Sequence, residues 1–145
     1  LIAEAVRAQP QRWRPLTRAV RGLIAAMGDE AAHEEMSSWE FHERVRLAAR
    51  TPSLTAAVRA ASQETERAIA EALIVPGTDD AAARAAAGAV MGAASSLLLA
   101  WAEGSSFPAR ATTAAPDTAS GTATCATGDA ATALSRDLLT LLGES

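Results

Sequence analysis

The 145-residue chain contains one cysteine, two histidines, and no lysine, asparagine or tyrosine. A single cysteine, Cys125, excludes an intramolecular disulfide and any zinc site built from several thiolates. Aromatic residues make up only 3% of the chain against 49% hydrophobic residues, so the core must be built from Ala, Leu, Ile and Val. Positive charge is also short: thirteen basic residues face seventeen acidic ones, for a formal charge of −4. Duplex DNA is held by clustered cations that displace counterions, so this chain as it stands is a poor DNA binder. All the basic residues are arginine, a bias that points to a GC-rich genome more than to a mechanism.

Targeting and membrane signals are equally thin. Leu1 to Pro10 carries Glu4 and Arg7 inside its apolar stretch, which excludes a signal peptide. Ala85 to Ala102 is uncharged, but its first half is Ala, Gly and Ser with only Val90 and Met91. A helix apolar all round serves equally as the buried centre of a helical bundle, so the expectation is a soluble chain with no membrane span. The first residue is Leu, not Met, which suggests a fragment of a longer protein. The length suits one domain, burying roughly 70% of the unfolded chain's surface.

What is present is helical periodicity. Leu1 to Gln9 reads as the end of a helix stopped by Pro10. Pro15 stands where a first-turn proline belongs, followed by Leu16, Val20, Leu23, Ile24 and Met27 at helical spacing. Arg14, Arg18 and Arg21 fall on the opposite face, and Gly28 ends the run. Asp29 caps the next helix, acidic at its start and basic towards its end, an order that suits the helix dipole. That helix stops before Pro52. Ser53 opens another, with the stripe Leu54, Val58, Ala61, Thr65, Ile69 and Ala72, broken at Pro76-Gly77. Thr78, Asp79 and Asp80 offer an N-cap for a long Ala-rich helix to about Glu103. Gly104 to Gly128 is low in complexity and reads as a mobile loop. Asp129 then caps a last helix with Ala131, Leu134, Leu138 and Leu141 on one stripe. No segment alternates with period two for long enough to form a strand. The expectation is an all-α bundle of about six helices in one domain, residues 1–145.

Catalytic chemistry is hard to assemble from these residues. His33 and His42 lie nine residues apart, which puts them on opposite faces of one continuous helix. Glu30 and His33 make one Glu-x-x-His step, but a carboxylate-bridged metal bundle needs a second, and the position three before His42 is Trp39. Ser95 and Ser96 have no histidine nearby in sequence and no nucleophile elbow. Such hydroxyls usually bond back to their own helix. Neither a phosphate loop nor a dinucleotide fingerprint occurs. The expectation is a protein without enzymatic activity, metal or cofactor.

The order of the pieces does resemble a known family. Arg46-Leu47-Ala48-Ala49-Arg50-Thr51-Pro52-Ser53-Leu54 is similar to the helix-break-helix step of TetR-family regulators. Trp101, closing the run Leu97-Leu98-Leu99-Ala100-Trp101, is similar to the tryptophan many members carry there. The amphipathic helix from Pro15, the two around Pro52, the small-residue helix and the Leu-rich final helix resemble the family's C-terminal half in order and length. The family's N-terminal helix-turn-helix domain, with its Tyr-x-x-Phe and Lys-Glu segment, has no counterpart here. The Gly104 to Gly128 stretch is also longer than the family pattern.

The resemblance implies the effector-binding and dimerisation part of a cytoplasmic transcriptional repressor. A small hydrophobic effector, a flat aromatic molecule or a fatty acyl thioester, would enter among the middle helices, and the last two helices would pair with their mates in a homodimer. Duplex DNA would be bound only through the missing N-terminal domain. The ligand must bind the two dimer shapes unequally, since equal binding moves nothing. The implied pocket residues are Trp13, Leu16, Val20, Ile24, Trp39, Phe41, Val45, Val58, Ser62, Met91 and Ser95, apolar with sparse polar groups as cavities generally are. Each suits an ordinary core equally well. His42 and Arg46 are the nearest polar groups, able to hold a carbonyl or carboxylate or simply to form a solvated edge. The implied dimer surface is Ala86, Val90, Ala93, Leu97 and Trp101 on the long helix with Leu134, Leu138 and Leu141 on the last. Gly88, Gly92, Ser95 and Leu99 are expected to allow close packing within the subunit. A plain helical protein-interaction domain without a small-molecule ligand is the competing reading.

Overall fold

Pro15, Pro52 and the residues around Pro76-Gly77 divide the chain as their chemistry requires. A computed structural model of the chain describes residues 1–104, 130–140 and 142–143. Among them are seven helices: α1 (Ile2–Arg7), α2 (Pro15–Met27), α3 (Glu30–Met36), α4 (Trp39–Arg50), α5 (Pro52–Leu73), α6 (Asp80–Gly104) and α7 (Ala130–Thr140). No strand occurs among the described residues. The expected loop (Gly104 itself ends α6), the Asp129 cap, Cys125 and Leu141 lie outside the described residues.

Seven helices replace the expected six because the helix expected from Asp29 to Pro52 is two. Ser37 donates its hydroxyl to the His33 carbonyl at 2.8 Å and Ser38 donates to the Glu35 carbonyl at 2.7 Å, closing α3. The Ser38 oxygen also accepts the Phe41 N–H at 3.1 Å and so caps α4. Two adjacent serines therefore end one helix and begin the next, which is the side-chain competition with the backbone that disfavours serine inside helices. His33 and His42 consequently sit on separate helices, α3 and α4, and not on opposite faces of one helix. The caps expected at Asp29 and Asp79 are present. Asp29 accepts from the Ala32 N–H at 3.5 Å, and Asp79 accepts from the Ala82 N–H at 3.2 Å.

The core lies among α1, α2, the C-terminal half of α5, the first half of α6, and α7. Val6, Val20, Leu23, Ile69, Leu73, Val90 and Leu138 are buried together with a set of alanines. Alanine lets these helices approach closely, and Gly22 marks the closest approach. A Cβ there would lie 2.5 Å from Val6 Cγ2 and 2.7 Å from Val6 Cα, so α1 and α2 touch backbone to side chain.

Arg18, expected opposite the apolar stripe, does not face solvent. It is 1% exposed, and its guanidinium donates to the carbonyls of Leu73 (3.0 Å) and Ala72 (3.3 Å) at the end of α5. Those carbonyls are orphan acceptors of a helix terminus, and a cation is the favoured partner for the negative end of the helix dipole. Periodicity put Arg18 beside Arg14 and Arg21. The α5 terminus drew it inward.

By length and composition alone α6 could cross a membrane, with a mean hydropathy of 1.6 over its best window. Its apolar side is used within the bundle, where Ala83, Ala86, Ala87, Val90 and Ala102 are buried.

Candidate effector site and dimer surface

The outer half of the bundle is built differently from the core half. His42 is the one residue of α4 classed as buried, and none is buried between Pro52 and Ala68 of α5. Here Trp39, Leu47, Leu54 and Val58 are 40% exposed or more. The apolar stripe expected on α5 is thus buried only at its end, at Ile69 and Ala72; Leu54, Val58 and Ala61 face solvent. The helix outruns the neighbours that would cover it.

His42 is completely buried, and its ring meets Trp101 of α6 edge-on with centroids 4.8 Å apart and an interplanar angle of 75°. Burial, reinforced by the Arg46 cation and opposed by the Glu43 carboxylate, lowers its pKa below the ordinary histidine value. Arg46 is paired with Glu43 at 3.2 Å, so it is engaged on its own helix. On the same helix the Arg44 guanidinium lies 5.8 Å from the Phe41 ring centroid.

The expected pocket residues separate into three groups. Val20 is wholly buried in the core, with Leu16, Ile24 and Met91 packed against it at the edge. Phe41, Val45, Ser62, Ser95 and Trp13 are partly buried, with Ser62 donating its hydroxyl to the Val58 carbonyl at 2.9 Å. Trp39 and Val58 point into solvent, at 42% and 51% exposed. Depressions lie at the α4–α5 elbow and around Glu30 and His33. Neither is lined by a residue of the expected pocket.

Burial also redraws the expected dimer surface. Val90 and Leu138 are 0% exposed, Ala86 6% and Leu134 7%, all inside the subunit's own core. Ala93 and Leu97 are half-buried against that core, and Trp101 faces His42. Side chains already enclosed by their own subunit have no surface left to offer a second copy. What α6 leaves open is Ala85, Ala89, Gly92, Ser96 and Ala100, a stripe of small residues at helical spacing. On α7 the open side carries Thr132, Arg136 and Thr140. Gly88 packs against Glu66 of α5 as expected, its Cβ position lying 3.2 Å from Glu66 Oε1, whereas Gly92 has nothing within 4 Å.

No group of three or more His, Cys, Asp or Glu side chains able to hold a metal occurs among the described residues. The described residues form an all-helical bundle with a small-residue open face and a loosely covered outer half. The family profile of the MftR C-terminal domain matches residues 13–116, and the chain belongs to that family. The matched segment runs from just before α2 to beyond the end of α6, leaving α1 and α7 outside it. Domains of this kind serve effector binding and dimerisation in regulators and are typically non-enzymatic. No curated protein sequence matches the chain, and no solved structure does.

Proposed function

We propose that the chain is the effector-sensing and dimerisation domain of a cytoplasmic TetR-type repressor, whose small hydrophobic ligand releases the full-length dimer from DNA. The family match over residues 13–116 carries the reading. The structure supports it through the contrast between a closed inner core and an outer half where α4 contributes one buried residue. Loosely covered elements are where ligand-responsive movement is drawn from. The effector would lie between α4, the first half of α5 and the second half of α6. Phe41, Val45, Met91 and Ser95 would line the space, and His42 with Trp101 would close its end. Movement there is transmitted through α5, whose C-terminus is tied to α2 by Arg18, and α2 is packed tightly on α1 at Gly22.

Thermal-shift screening with flat aromatic compounds and long-chain acyl thioesters tests the reading. A ligand at about a hundred times its dissociation constant adds roughly 2.7 kcal/mol of stability. At least one compound should raise Tm, and Phe41→Ala should weaken that response more than Arg67→Ala. A flat screen contradicts the sensor. The second reading, a helical interaction domain, has one observation in its favour: the exposed Trp39, Leu47, Leu54 and Val58 of α4 and α5.

A further inference from the structure

The elbow between α4 and α5 holds a groove of about 520 Å³, within the size range of small-molecule sites. Pro52, Ala56 and Ala60 supply apolar lining, and Arg50, Arg59 and Gln63 supply its hydrogen-bond donors. The elbow is braced by Thr55, whose hydroxyl donates to the Ala48 carbonyl at 2.6 Å and so ties the start of α5 to the end of α4.

The charge on the groove's lining is of one sign. The chain carries −4 overall, yet no Asp or Glu lines the groove. Several other arginines meet acids: Arg44 pairs with Glu35 at 2.8 Å, Arg46 with Glu43 at 3.2 Å, and Arg84 with Asp80 at 2.8 Å. Arg50 and Arg59 join no ion pair or hydrogen bond among the described residues. Arg50 and Arg59 both line one concavity that supplies no counter-charge. Each offers a planar fork of N–H donors matched to an oxyanion.

We propose that this groove binds an amphipathic organic anion, its carboxylate or phosphate head held by Arg50 and Arg59 and its short apolar tail laid along Pro52, Ala56 and Ala60. The site is separate from the effector space among the middle helices and stands whether or not that space takes a ligand. Gln63 adds one neutral donor or acceptor at the groove's far end, for a hydroxyl or amide of the ligand.

Titration of the isotope-labelled chain with octanoate and octyl phosphate, followed by NMR, tests the site. One or both should give saturable shifts at Ala56, Ala60 and the two arginine side chains, with octanol producing none. The arm that saturates at lower concentration identifies the headgroup. Arg50→Gln with Arg59→Gln should weaken binding about tenfold, Arg67→Gln should leave it unchanged, and added salt should weaken it further. Both arginines are exposed, so the double variant keeps the fold, which circular dichroism verifies. Equal shifts with octanol, unchanged affinity in the double variant, or shifts centred on α6 would each overturn the site. Tighter binding of an acidic helical peptide at these arginines would overturn the small-molecule assignment.

Discussion

Arg18 and His42 are the two buried side chains able to carry charge among the described residues, and they are stabilised in opposite ways. The Arg18 guanidinium is held by two α5 carbonyls that accept from it. Replacing it with Met should cost about 2 kcal/mol, because buried acceptors at a helix end lose a cationic donor. Chemical denaturation of Arg18→Met measures that loss. His42 is held neutral by burial, with Arg46 adding to the effect. Its folded pKa is therefore depressed below 6.5, while the unfolded chain takes up a proton at that ordinary value. As pH falls through 6.5 the unfolded state binds more protons, so stability drops, and the drop stops once the folded pKa is passed. Above that window the penalty is absent. Urea unfolding across this range should show the decline in the parent chain, and His42→Leu should abolish it.

At the scale of the element, α3 and α4 owe their separation to Ser37 and Ser38. Ser38→Ala removes the α4 cap and should cost about 1 kcal/mol, a value typical of lost N-caps, which thermal unfolding measures. Gly22 sets the α1–α2 spacing, and Gly22→Ala should destabilise by about 1–3 kcal/mol, since Val6 leaves a methyl no room. Much of this level was legible beforehand. Pro15 marks a helix start because proline suits a first turn, and Asp29 and Asp79 cap because their carboxylates reach the orphan N–H groups; α5 begins at Pro52 itself, one residue before the expected Ser53. The Ser37–Ser38 break was not, because continuous helical spacing of charges ran through it. Arg18 was misplaced for a related reason: periodicity assigns a face, whereas only the packed neighbour decides whether that face meets water or a helix end. The same ambiguity put Val90 and Leu138 on the dimer surface, since α6 is apolar on several sides and its pattern does not say which side another helix of the same subunit occupies.

For the whole molecule the all-helical class and the family followed from the order of the pieces, while the pocket did not. Core and cavity share one composition, so no spacing distinguishes Val20 in the core from Phe41 at the edge. Release from DNA by an effector requires two subunits, because a single subunit has no second head to move apart from. Self-association is thus the premise of the proposed mechanism. The open stripe of α6, from Ala85 to Ala100, is the surface that would pair about a two-fold axis, its small side chains allowing close approach. Sedimentation equilibrium of the chain alone is the most direct test. The account predicts a dimer, and a monomer with unchanged helical content when Ala89 and Ser96 are both replaced by Glu. A parent chain that sediments as a monomer throughout the micromolar range, or a double variant that remains dimeric with undiminished affinity, would contradict it.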